Sequence, residues 1–152
     1  SARNSVGRAL AATWMSAIDD GGSIRFLLDR DERVRAAIRS RLPDPRAFLP
    51  ALRRSDSTWA LWSITEIDLA EGIALAGERL AHPRPRMRAA AVDVLSRYGS
   101  AEAAGAIVSR LTDHSPRVVR AAVRALAKTR FAVDGGLVRH AVGDRGRSPS
   151  VR

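Results

Sequence analysis

The amino-acid sequence predicts an all-α fold, an α-α superhelix built from about 4.5 helical-pair repeats. The first observation is a recurring unit: the segment that begins at Pro116 has a copy that begins at Pro85, 31 residues earlier. The second is that each such interval holds enough residues for two helices, which is typical of an α-solenoid. The third is composition, because 45% of the residues are hydrophobic and only 5% are aromatic, which suits closely packed helices rich in alanine.

The segment from Pro116 to Leu126 is the clearest copy of the unit. Ser115 is suited to accept hydrogen bonds from the first backbone N–H groups, and Pro116 fits the first helical position. Val118, Ala122 and Leu126 form an apolar stripe along the predicted helix. A charged stripe lies beside it and consists of Arg117, Arg120, Arg124 and Lys128.

Weaker copies place the remaining repeats. One copy begins at Glu32, and residues 148–152 open another copy 33 residues after Pro116. The interval from Glu32 to Pro85 is too long for one unit, so we predict a degenerate repeat whose second helix covers Thr65 to Leu80. The predicted pairs are 1–29, 30–54, 55–80, 82–112 and 113–143, with the start of a further repeat at 144–152.

Capping and breaking residues set the expected helix boundaries in the first two pairs. Trp14 belongs to a buried stripe in the first helix, and residues 19–22 are expected to break it before Ser23 caps a short second helix. In the second pair Asp44 is expected to cap the second helix. Pro50 is expected either to distort that helix or to lie in its first turns.

The last two pairs are read in the same way. Gly99 is expected to end the first helix of the pair 82–112, and Ser100 is expected to cap the second helix over 102–111. In the pair 113–143 the turn falls at 133–136, and a short helix follows over 137–142. We expect one domain of such repeats over residues 1–152 and a natural protein that continues beyond them.

The helices that begin at Pro85 and Pro116 resemble the HEAT-like repeats first associated with phycobilin lyases, which open with Pro-x-Val-Arg-x-x-Ala. Val119 stands where the pattern has arginine, the copy at Glu32 lacks the proline, and the repeat around Trp59 has almost none of the pattern. The resemblance implies an armadillo-type solenoid over most of the chain. It implies no single function, because such repeats occur in lyases, DNA glycosylases and plain scaffolds.

Several classes of site are disfavoured by the residues present. The sequence has no cysteine, which rules out disulfides and thiolate metal sites and favours a cytoplasmic location. No stretch approaches the roughly 18 apolar residues of a membrane span. The three histidines, His82, His114 and His140, form no metal-binding pair, and no Gly-x-Ser-x-Gly elbow is present. We therefore expect no catalytic residue, no cofactor and no metal, and a chain that is not an enzyme.

The net charge of +10 lies mainly on the first helix of each pair. In the HEAT family the second helices line the concave surface, and here they are nearly neutral with an acidic patch at Glu66, Asp68, Glu71 and Glu78. This disfavours a DNA-binding groove, which needs several cations facing the phosphates. The alternatives are a solvated face whose arginines pair partly with carboxylates of neighbouring repeats, or a basic face for a partner or anion, formed by Arg84, Arg86, Arg88, Arg117, Arg120 and Arg124.

Trp59 and Trp62 lie three residues apart and form a candidate platform for a base or a peptide. The alternative, which we favour, is that both belong to the core.

The function that this pattern predicts best is a non-catalytic protein-interaction scaffold or accessory domain, with another protein as partner. The alternative is a nucleic-acid-binding or DNA-repair module that uses the arginine-rich surface. A third option is a lyase-like chaperone for a prosthetic group.

Overall fold

The computed structural model describes residues 7–8 and 20–128. Every regular element within these residues is helical, which confirms the all-α prediction. The chain divides into two compact units, residues 1–72 and 73–152. The predicted stripe around Trp14, the helix over 137–142 and the repeat start at 144–152 lie outside the described residues.

The first unit is built from short helices joined by tight, side-chain-capped turns. The carboxylate of Asp31 accepts a hydrogen bond from the backbone N–H of Arg33, and Ser57 caps a later helix in the same way. Asp44 caps a 3-10 turn over Pro45–Phe48, and Pro50 lies in the first turn of the helix that follows. The helices are α1 (Asp20–Leu27), α2 (Glu32–Arg39), α3 (Leu49–Arg54), α4 (Thr58–Ile67) and α5 (Leu69–Arg79), of which α5 ends in the second unit.

The core of the first unit consists of aliphatic side chains from α1 to α4. Helix α1 packs against α2, and α3 packs against α4. The hydroxyl of Ser63 on α4 donates to the backbone carbonyl of Leu27, so it satisfies a carbonyl at the end of α1. The fully buried side chains include Leu27, Val34, Ile38, Leu52 and Ile64.

Two helix starts differ from the prediction. Helix α1 begins at Asp20 and runs through Gly21 and Gly22 without the expected break. Ser23 is therefore a buried helical residue with 3% of its surface exposed, not a cap; its burial outweighs the weak helix propensity of this segment. Helix α4 runs to Ile67, so the partner helix begins at Leu69 rather than at Thr65.

In the described part of the second unit, three helices follow the predicted repeat. They are α6 (Pro85–Tyr98), α7 (Ala101–Val108), which a 3-10 turn over Ser109–Thr112 extends, and α8 (Pro116–Lys128). Helices α6 and α8 make the most extensive contact in this unit. Proline occupies the first position of α6 and of α8, as the pattern predicts. Among the described residues no helix has the length and hydropathy that crossing a membrane requires.

Gly99 ends α6 as predicted, but for a reason of space. Its φ of −72° and ψ of 160° are open to any residue, so left-handed backbone is not what requires glycine here. A Cβ atom at this position would lie 2.5 Å from the carbonyl oxygen of Leu95 and 2.8 Å from the Cβ atom of Ala103. Glycine therefore permits the close turn from α6 into α7.

Small side chains let α6 and α8 approach each other. Ala121 on α8 is 0% exposed and Ala90 on α6 is 8% exposed. We expect Ala121→Leu or Ala90→Leu to overpack these helices and lower the free energy of unfolding by about 1–3 kcal/mol. Ala127→Leu is the matched control, because Ala127 is exposed on the same helix as Ala121. Urea denaturation checks this, and equal stability of Ala121→Leu and Ala127→Leu would show that the seam is misplaced.

Candidate functional site

Arg88, on the buried side of α6, connects two loops of the second unit. Its Nε and Nη2 atoms each donate to the carboxylate of Asp113 at 2.8 Å. Its Nη1 atom donates to the backbone carbonyls of His82 and Pro83, which lie in the loop before α6. Arg88 is only 5% exposed, so this charge is bound inside the unit. A bidentate arginine–carboxylate pair of this kind is among the stronger ion pairs.

Arg35 makes a similar set of hydrogen bonds in the first unit, although its carboxylate partner lies within a helix and not in a loop. It occupies the position of α2 that Arg88 occupies in α6, and its Nη1 atom donates to the carbonyl of Asp29, six residues earlier. Its Nε and Nη2 atoms donate to Glu66 on α4, at distances down to 2.5 Å. Arg39 adds a bond to the same carboxylate at 2.8 Å. Arg35 and Arg88 therefore bind a carboxylate and a preceding loop carbonyl from the same position of their helices.

Helix α8 lacks the arginine that makes these bonds in α2 and α6, because Val119 occupies its position. In the copy that begins at Pro116, Val119 stands in the place of Arg35 and Arg88. Asp113 lies in the loop before this copy, where its carboxylate accepts a hydrogen bond from the backbone N–H of Ser115 at 2.9 Å. The loop before α8 thus receives an arginine from α6, while α8 contributes none from the equivalent position.

The predicted acidic patch is largely neutralised within the first unit. Asp68 accepts a salt bridge from Arg46 at 3.2 Å, and Glu71 accepts one from Arg53 at 3.0 Å. Glu66, Asp68 and Glu71 of the predicted patch therefore each pair with an arginine. The expectation that some arginines pair with carboxylates of a neighbouring repeat is confirmed for Arg35 and Arg88.

The expectation that Trp59 is a core residue is wrong. Trp59 is 37% exposed, and the guanidinium carbon of Arg35 lies 5.8 Å from its ring centroid. The guanidinium of Arg35 therefore lies over the indole ring, an arrangement in which a cation and an aromatic face attract each other. Trp62 is half-buried on the same helix. The use of the two rings as a binding platform stays a prediction.

Five of the six arginines in the predicted basic face are at the surface of the second unit. Arg88 is the exception and does not belong to that face, because it is buried against Asp113. Within the described residues no hydrogen bond or ion pair engages the side chains of Arg86, Arg117 or Arg120. The exposed members are Arg84, Arg86, Arg117, Arg120 and Arg124.

Asp93 is the carboxylate that faces Arg124. It lies 3.8 Å from Arg124, and the two side chains are 44% and 60% exposed. Partial burial raises the pKa of Asp93, although Arg124 and Lys128 act in the opposite direction. An ion pair this long and this exposed contributes little to stability.

The described side chains that could bind a metal ion do not come together in one site. Of the histidines, His82 and His114 lie in the loops before α6 and α8, and His140 lies outside the described residues. No group of three or more His, Asp or Glu side chains within the described ranges is arranged to hold a metal ion.

The hydrogen bonds from Arg88 lower the pKa of the Asp113 carboxyl. The stabilisation from this pair is therefore fully present above the ordinary aspartate pKa of about 4 and is lost as the pH falls through the lowered value. We expect acidification from about pH 5 to about pH 2 to lower the melting temperature of the wild-type chain more than that of Asp113→Asn. Thermal melts followed by circular dichroism measure this difference.

Asp93→Asn is the matched control for the acid series. The pKa of Asp93 is raised in the folded chain. Protonation of Asp93 in acid therefore slightly stabilises the folded state, whereas protonation of Asp113 destabilises it. The melting temperature of Asp93→Asn should therefore fall in acid at least as steeply as that of the wild type. Parallel curves for wild type and Asp113→Asn would contradict the assigned role of Asp113.

Comparison with known proteins locates the repeats in the second half of the chain. Residues 73–135 match the family model of HEAT repeats, so this part of the predicted resemblance is confirmed. No curated protein and no solved structure matches the chain.

Proposed function

We propose, from the HEAT repeats at residues 73–135, that the chain is a non-catalytic protein-interaction scaffold or accessory domain. HEAT repeats present a long surface whose exposed residues vary without disturbing the residues that pack the helices. In this family such surfaces generally bind proteins. The finer assignment to repeats of the phycobilin-lyase type, and a cytoplasmic location, stay predictions.

The observation that carries this proposal is that the second unit has one buried, ion-paired arginine and several exposed arginines. The guanidinium of Arg88 is bonded within the unit, because it pairs with Asp113 and donates to two loop carbonyls. Arg117 and Arg120 are exposed and make no hydrogen bond or ion pair within the described part of the chain. Exposed arginines are frequent in protein interfaces, where they supply several directed donors.

Affinity purification with the full chain as bait tests the scaffold. The expected result is one protein that co-purifies in fixed stoichiometry, binds again after both are purified, and is not chemically altered by the chain. If the only stoichiometric component recovered is nucleic acid, the scaffold proposal is wrong.

The second candidate is a nucleic-acid-binding or repair module, which the five exposed arginines and the net charge of +10 favour. Fluorescence anisotropy with duplex and single-stranded DNA over a salt series tests it. A module that neutralises about four phosphates should show a logarithmic salt slope of roughly −3 to −4. Weak binding with a shallow slope would exclude this candidate.

A further inference from the structure

The exposed face of α8 carries a row of cations whose one ion pair within the described residues, Arg124 with Asp93, is long and exposed. In the same chain the packing arginines Arg35 and Arg88 bond to carboxylates at 2.5–3.2 Å. The nearest carboxylate to Arg124 lies at 3.8 Å, and within the described residues neither Arg117 nor Arg120 has a bonded partner. The contrast separates the arginines that hold the repeat together from those that are open to another molecule.

These cations form one stripe. Arg117, Arg120, Arg124 and Lys128 are all exposed, and their spacing of three, four and four residues keeps them on one side of the helix. The stripe is about 17 Å long at 1.5 Å per residue, and from Arg120 onward its members recur about every 6 Å.

An apolar strip borders the cations. Val123 is 53% exposed, one of the few large hydrophobic side chains at the surface of the described chain, and Ala127 is exposed one turn further on. Residues on the opposite side of α8 are buried, namely Val118, Ala121, Ala122 and Ala125. The solvent side of α8 is therefore basic and apolar at once.

We propose that this face of α8 binds an acidic amphipathic helix of a partner protein. The inference rests on the proposed scaffold function and names the class of partner. Glutamates four residues apart on a helix recur about every 6 Å, which is the spacing of Arg120, Arg124 and Lys128. Each pair forms a charge-assisted hydrogen bond, and an aliphatic side chain of the partner covers Val123, as in other helix-to-helix recognition.

Nucleic acid fits the same face less well. Phosphates gain nothing from an exposed valine, and single-stranded nucleic acid is held in part by stacking on aromatic rings. Among the described residues α8 carries no aromatic side chain. The apolar strip is therefore the feature that favours a protein helix.

Fluorescence anisotropy with defined probes tests the proposal on the full chain. The first probe is an 18-residue helical peptide with glutamate at every fourth position and a leucine beside the central glutamate. The second is the same peptide with glutamine in place of glutamate, and the third is single-stranded and duplex DNA of about 18 nucleotides. We expect the glutamate peptide to bind at least about tenfold more tightly than the glutamine peptide.

Two double variants separate this face from the overall positive charge. Arg120→Glu with Arg124→Glu should weaken glutamate-peptide binding by about tenfold or more. Arg41→Glu with Arg54→Glu makes the same change of charge at exposed arginines of the first unit. This second double variant should change the affinity for the glutamate peptide by less than about threefold. Val123→Ser should weaken binding about three- to fivefold, because it removes the apolar contact.

Three results would overturn the proposal: no preference for glutamate over glutamine, equal losses in the two double variants, or tighter binding of DNA that depends on Arg120 and Arg124. Far-ultraviolet melts of each variant show whether a loss of binding comes from unfolding. If the Arg120→Glu, Arg124→Glu variant still captures a stoichiometric protein partner, the scaffold function stands and the assignment of this face is wrong.

Discussion

Arg88→Met is expected to lower the free energy of unfolding by about 3–5 kcal/mol. The methionine keeps most of the aliphatic volume but removes the guanidinium, so the carboxylate of Asp113 stays buried without its cation. The carbonyls of His82 and Pro83 lose their donor as well, and the loss of these hydrogen bonds adds to the cost. Urea denaturation followed by circular dichroism measures the change.

Arg86→Met is the matched control for this substitution. It changes the same residue type two positions earlier on α6, where Arg86 is exposed and, in the described part of the chain, bonded to nothing. Its effect should stay within about 0.5 kcal/mol. Similar losses for the two variants would mean that net charge, and not the buried ion pair, governs stability.

Gly72→Ala is expected to lower the free energy of unfolding by about 2–3 kcal/mol. Gly72 is buried near the start of α5, and a Cβ atom there would overlap Cα and Oγ1 of Thr65 and lie 2.7 Å from its Cβ atom. Thr65 cannot move aside easily, because it is 4% exposed and its hydroxyl donates to the carbonyl of Leu61 at 2.8 Å. Helices α4 and α5 would have to separate.

Gly77→Ala makes the same chemical change five residues later on α5 and should have the opposite sign. A Cβ atom at Gly77 meets nothing within 4 Å, so the higher helix propensity of alanine should raise the free energy of unfolding by about 0.5–1 kcal/mol. Thermal melts of the two variants check the pair. If both variants are stabilised, α4 and α5 do not approach each other closely at Gly72.

Helix starts were predictable where one residue constrains the backbone. Pro85 and Pro116 fit only the first turn of a helix, and α6 and α8 begin there. The break predicted over residues 19–22 was wrong at Gly21 and Gly22, because glycine lowers helix propensity by only about 1 kcal/mol, which burial outweighs. The glycine requirement at position 72 depends on the distance between two helices, which no local pattern encodes.

The candidate surface was predictable in part. Spacing along α8 identified Arg117, Arg120 and Arg124 as one exposed stripe, because the helical period fixes which residues share a side. It did not separate Arg88 from that set, since its partner Asp113 lies 25 residues away in sequence. The arginine of the Pro-x-Val-Arg pattern was the available clue, because Arg35 and Arg88 both occupy that position. Trp59 was misplaced for a similar reason: its neighbour Arg35 comes from another helix.

A double-mutant cycle on Arg88 and Asp113 tests most directly the claim that an arginine on one first helix is anchored to the loop that opens the next. The cycle compares the free energies of unfolding of Arg88→Met, Asp113→Asn and the double variant. We predict a coupling energy of about 2–3 kcal/mol, with the double variant more stable than the two single losses would give. Additive losses within about 0.5 kcal/mol would contradict the anchored arrangement.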